Sequence, residues 1–68
     1  MAKGQHVVPN NGNWSVKRAG ALRASSTHTT QAEAIQAATK IARNQQTEIY
    51  VHGRDGRIRE RKDPPPKS

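Results

Sequence analysis

Few side chains in this sequence can do chemistry. His6, His28 and His52 are the only imidazoles, and there is no cysteine. Two or three histidines without a thiolate or a spaced carboxylate partner make a poor metal site. The ordinary reading of each is a surface or polar-packed ring, and neither a metal nor a cofactor is expected. Ser15, Ser25, Ser26 and Ser68 stand in no nucleophile-elbow pattern. Asp55 belongs to the turn signal Gly53-Arg54-Asp55-Gly56 and Glu60 lies among arginines. A turn residue and an ion-paired surface residue are therefore the readings of the two carboxylates that could otherwise form an acid–base pair. Gly53 to Gly56 is too short for a phosphate-cradling loop. The sequence predicts a protein that is not an enzyme.

What remains is charge. The 68 residues carry 12 Lys+Arg against 5 Asp+Glu, a formal charge of +7. Arg57, Arg59 and Arg61 alternate, so an extended strand projects all three to one face. Lys17 is expected on that face, with Tyr50 opposite Arg61 in reach of a cation–π contact. Lys17, Tyr50, Arg57, Arg59 and Arg61 are the candidate polyanion-binding residues. A basic face with an aromatic is what binders of single-stranded nucleic acid use. Those platforms usually show two or three aromatics, however, and here only one joins the stripe. One expected helix excludes helix-turn-helix, and no RNA-recognition signature is present. The bland reading is a solvated basic surface, because net charge speaks to non-specific affinity rather than to a role.

Short elements must position these side chains. Gln5 to Pro9 and Asn13 to Arg18 read as two arms of a β-hairpin around Asn10-Asn11-Gly12. A two-residue Asn11-Gly12 loop of type I′ pairs Asn10 with Asn13, Pro9 with Trp14 and Val7 with Val16. Val7, Pro9, Trp14 and Val16 then share one face, and Pro9 marks its strand as an edge at that point. Ala19 to Leu22 is a connection, and Arg23 to His28 a candidate short third strand.

Thr30-Gln31-Ala32-Glu33 has the spacing of a reciprocal capping box. Ala34, Ile35, Ala38, Ile41 and Ala42 follow as one apolar stripe, which predicts an amphipathic helix of roughly 13 residues. Lys40 and Arg43 in its last turns suit the helix dipole. Ile49 and Val51 alternate with Glu48, Tyr50 and His52. Asp55-Gly56 is a second type I′ signal, pairing His52 with Arg59 and Tyr50 with Arg61 and sending Ile58 inward beside Ile49 and Val51. A three-residue loop with a bulge would turn Ile58 outward. His6 and His52 fall on the outer face and approach each other if the hairpins are neighbours.

The expected fold class is α+β, in the order β-β-(β)-α-β-β: two β-hairpins flank one helix packed on a face of an antiparallel sheet. Residues 5–62 form the domain, 1–4 a flexible start, and 63–68 a proline-rich, disordered tail. No run of about 18 apolar residues exists to span a membrane. The first residues hold a charge and no apolar stretch, so no secretory leader is expected and cytoplasm is the default compartment.

His6-Val7-Val8-Pro9, Gly12-Asn13-Trp14-Ser15-Val16-Lys17 and Thr30-Gln31-Ala32-Glu33-Ala34-Ile35 form an ordered series. Ile41-Ala42-Arg43-Asn44-Gln45 and His52-Gly53-Arg54-Asp55-Gly56-Arg57-Ile58 complete it. Over roughly residues 4–60 the chain resembles the small bacterial family catalogued as domain of unknown function 2188. The resemblance implies a bacterial source and a compact single domain, and it supplies no catalytic residue, ligand or partner. The expected function is a small non-enzymatic domain with weak nucleic-acid or other polyanion affinity. The alternative is a homodimeric structural or adaptor protein whose outer sheet face, with Val8 and Tyr50 at its centre, meets a second copy or another protein. A domain this short buries only ~60% of its unfolded surface, which favours some self-association.

Overall fold

The computed structural model describes residues 4–63. Met1 to Lys3, and the proline-rich stretch from Pro64 to Ser68, lie outside the described residues. The first hairpin forms as its turn dictates. β1 (Gln5–Asn10) and β2 (Asn13–Arg18) pair antiparallel in the expected register, with Asn10, Pro9 and Val7 opposite Asn13, Trp14 and Val16. Asn11 and Gly12 both take positive φ, 53° and 85°, as a type I′ loop requires. A short β3 (Ser26–His28) pairs antiparallel with the other side of β2.

The helix α1 (Gln31–Gln45) starts at Thr30, whose hydroxyl accepts from the Glu33 amide at 3.2 Å. The expected box is only half made. The Glu33 carboxylate accepts from the Thr29 hydroxyl, also at 3.2 Å, instead of from the Thr30 amide. Gln46 closes the helix in the left-handed region at φ 54°, and Thr47 returns its amide to the Ala42 carbonyl at 3.0 Å. The face against the sheet is made of Ala34, Ala38 and Ala42, all fully buried, while Ile35, Ala37 and Ile41 pack around its margins. They close over Val7, Trp14, Val16, Ile49 and Val51.

β4 (Ile49–His52) returns alongside β1 in parallel, and β5 (Ile58–Lys62) pairs antiparallel with β4. The five-stranded sheet has the order β3-β2-β1-β4-β5 and is mixed, not purely antiparallel. The two hairpins are therefore neighbours. β1 is central in the sheet, yet its pairing with β4 stops at Val7, so Pro9 lies beyond the ladder on that side. Among the described residues no helix is long and apolar enough to cross a membrane.

The second hairpin differs from expectation. The Gly53 amide donates to the Arg57 carbonyl at 2.7 Å, and the Gly56 amide to the Gly53 carbonyl at 2.9 Å. Only Gly56 has positive φ, 84°, while Asp55 does not. The loop is therefore the three-residue Arg54-Asp55-Gly56. The Asp55 side chain stabilises it by accepting from the Arg57 amide at 3.1 Å, which spares Asp55 the left-handed conformation that type I′ would impose. A bulge follows: Val51 pairs with Glu60 and His52 with Ile58, which leaves Arg59 opposite nothing. Ile58 thus faces outward, 56% exposed, and does not join Ile49 and Val51 in the core.

Candidate site on the open face of the sheet

Helix α1 covers one face of the sheet, and strand pairing decides what stands on the other. His6 pairs with Lys17 on one side and Tyr50 on the other, and Tyr50 pairs with Arg61. Directly opposed residues share a face. Lys17, His6, Tyr50 and Arg61 therefore form one row across β2, β1, β4 and β5, cation at each end and rings between. At about 4.8 Å per strand the row spans roughly 14 Å. His52 stands beside it, one residue pair along β4.

The rings are in contact. His6 stacks on Tyr50 with centroids 4.9 Å apart and planes 21° apart, and tilts against His52 at 5.1 Å. Gly4 makes room for the tyrosine: a Cβ there would fall 2.5 Å from Tyr50 Cε2. His52 Nδ1 lies 2.8 Å from the Gly56 carbonyl oxygen, which can only accept, so this nitrogen carries a proton. In the neutral ring Nε2 is then an acceptor, and it receives the Nδ1–H of His6 at 2.9 Å. That leaves Nε2 of His6 as a lone pair. The relay starts at the bulged turn and runs through both imidazoles to the centre of the row.

Burial disfavours the charged form of His6, and the neighbouring His52 adds to this, so its pKa lies below the ordinary 6.5. The consequence for stability has a definite sign. In the unfolded chain His6 takes up its proton near pH 6.5, while the folded protein resists until lower pH. The stabilisation is complete above pH 6.5 and declines as the pH falls below it. The melting temperature is expected to drop between pH 7.5 and 5, and His6→Phe to flatten that part of the profile. An unchanged slope in the variant would assign the effect elsewhere.

Arg61 is held in place. Tyr50 beside it on β4, with the carboxylates of Asp63 and Glu48 at 3.7 and 3.4 Å, favours its charged form, so its pKa rises further above the usual arginine value. The stripe of three arginines does not form. The bulge puts Arg59 on the helix side of the hairpin, lying against Gly53. Arg57 sits at the turn, its side chain 88% exposed and 3.9 Å from Asp55. Of the five expected residues, Lys17, Tyr50 and Arg61 stand in one row and Arg57 and Arg59 outside it. His6 completes that row although charge alone did not select it; the signal was its alternation with Val7, which put it outward. His28, on β3, bonds instead to Ser26 at 2.9 Å. Among the described residues no three His, Cys, Asp or Glu side chains gather as a metal set.

Comparison with other sequences places these features in a family. Residues 5–63 match the family described as "Uncharacterized protein conserved in bacteria (DUF2188)". The chain belongs to it. It is also similar to "Uncharacterized protein YdaT" of Bacillus subtilis (strain 168), with 41% identity over 58 residues. That match covers 85% of this chain and 39% of the relative, so the chain spans well under half of its relative's length. No solved structure matches. The family match covers every strand and the helix described above.

Proposed function

We propose that this member of the family is a small cytoplasmic, non-enzymatic domain that binds polyanions, single-stranded nucleic acid being the chemistry its open face suits. The observation that carries the reading is the row Lys17–His6–Tyr50–Arg61, in which two cations flank two stacked rings on a sheet face that no described element covers. A phosphate chain crossing the strands would meet Lys17 and Arg61 at its ends, while Arg57 adds charge at the turn. The rings present their edges, since His6 and Tyr50 already cover one another. Affinity therefore rests on phosphate contacts and carries little sequence preference.

The test is a fluorescence-anisotropy titration of single-stranded DNA and RNA at several salt concentrations. Two to three phosphate contacts predict a log–log salt slope of about −1.4 to −2. Lys17→Ala/Arg61→Ala should remove most of that slope. Wild-type protein that binds neither nucleic acid at low salt would end this reading. The double variant binding like wild type would show that the charge acts diffusely.

A second reading is favoured by the outward turn of Ile58. With Val8, it gives the open face an apolar component that a second copy of the chain would cover. Light scattering across a concentration series distinguishes the two: a dimer in dilute solution means the face is occupied by protein.

A further inference from the structure

Arg59, displaced from the expected stripe, stands with Arg54 on the other side of the sheet. On the helix side, between the start of α1 and the second hairpin, lies a cleft of about 640 Å³. Trp14, Ile35 and Val51 form its apolar floor, and Arg54 and Arg59 stand on the hairpin wall. A second hollow of about 460 Å³ adjoins it, sharing Gly12, Trp14 and Arg54. These volumes lie in the range of small-molecule sites, ~300–1,000 Å³. We propose that this cleft binds a small organic phosphate monoester, gripped by the guanidinium groups of Arg54 and Arg59. It lies on the opposite side of the sheet from the Lys17–Arg61 row and does not rest on the reading given above.

Three observations carry the inference. The first is the division of the hairpin's arginines. Arg57 and Arg61 have carboxylate partners, Asp55 for one and Glu48 with Asp63 for the other. Arg54 and Arg59, which line the cleft, have none within 4.0 Å among the described residues. The second is the bulge at Val51 and His52, which takes Arg59 out of the ladder and re-aims it.

The third is Gly53. Its φ is not positive, so backbone conformation does not require a glycine there. Space does: a Cβ would sit 2.5 Å from Arg59 Nε and 2.9 Å from its Cγ. The missing side chain lets the arginine lie down against the turn. One guanidinium fork satisfies a carboxylate; two forks match the several oxygens and double charge of a phosphate monoester. The apolar floor would take the organic part. Glu60, also on the wall, opposes an anion and sets the affinity below its maximum.

The probe is ribose 5-phosphate, which leaves Trp14 fluorescence readable, followed in parallel by calorimetry. Saturable binding with a change in Trp14 emission is expected. Arg54→Gln and Arg59→Gln should each weaken it about tenfold or more, and both residues are exposed, so the fold survives. Gly53→Ala should weaken it with both arginines present, because the added methyl displaces Arg59. Glu60→Gln should tighten it. Arg23→Gln, an equal charge loss in the loop at the far end of β2, should bind like wild type. The proposal is overturned by any of four results: no binding to about 10 mM at low salt, wild-type affinity in the Arg54→Gln/Arg59→Gln variant, equal binding of ribose, or equal binding of succinate. Inorganic phosphate binding as tightly as the sugar phosphate would remove the organic part of the assignment.

Discussion

Trp14→Ala should leave the chain largely unfolded at room temperature. The indole is 8% exposed and belongs to the core cluster of the described residues, with Val7, Val16, Ile49 and Val51 of the sheet and the alanine face of the helix. Truncating a buried aromatic to alanine costs about 3–5 kcal/mol, because packing is lost and a cavity remains. A core in a domain of this size rarely supplies more than about 3–5 kcal/mol in total. The loss thus equals the whole stability. Far-UV circular dichroism with a thermal melt reads the result, and Trp14→Phe should fall between the two. A Trp14→Ala protein that melts like wild type would place the indole outside the core and reverse the facing of every residue on the first hairpin.

Ala38→Leu is expected to destabilise the protein too, by a smaller amount and for the opposite reason. Ala34, Ala38 and Ala42 recur every fourth position and are fully buried, so the helix backbone approaches the sheet over their methyl groups. A leucine at the middle one has no space and must push α1 away from Val7 and Val16. Overpacking of this kind costs about 1–3 kcal/mol. Ala37→Leu, at the margin of the same face, should be tolerated. Chemical denaturation compares the three proteins directly. Equal midpoints for Ala38→Leu and wild type would mean that the helix stands farther from the sheet than its alanine face requires.

Much of this architecture was legible in local chemistry. Asn11-Gly12 specifies one loop length, and that loop sets the register that buries Val7, Trp14 and Val16 together, because only glycine and asparagine accept two successive positive φ angles readily. Thr30 with the stripe from Ala34 to Ala42 specifies the helix in the same way, by hydrogen bonds and periodicity contained within a few turns. Alternation put His6 and His52 on the outer face. These readings depend on residues close in sequence, and the family match covers the same span.

Three features were decided only by the assembled structure. The parallel pairing of β1 with β4 joins residues more than 40 positions apart. No local signal specifies it, yet it alone brings His6 onto Tyr50 and within 2.9 Å of His52. The second turn was the closest contest: Asp55-Gly56 suits either loop length, and the longer loop with its bulge exchanges the faces of Ile58 and Arg59 while Tyr50 still pairs with Arg61. The Asp55 bond to the Arg57 amide decided for three residues. Ile58 accordingly went to solvent, and the bulge put Arg59 over Gly53 instead of on the open face. Alternation in the sequence lists which residues can share a face. Register across the bulge, set by a hydrogen bond and by the room above one glycine, determines which of them do.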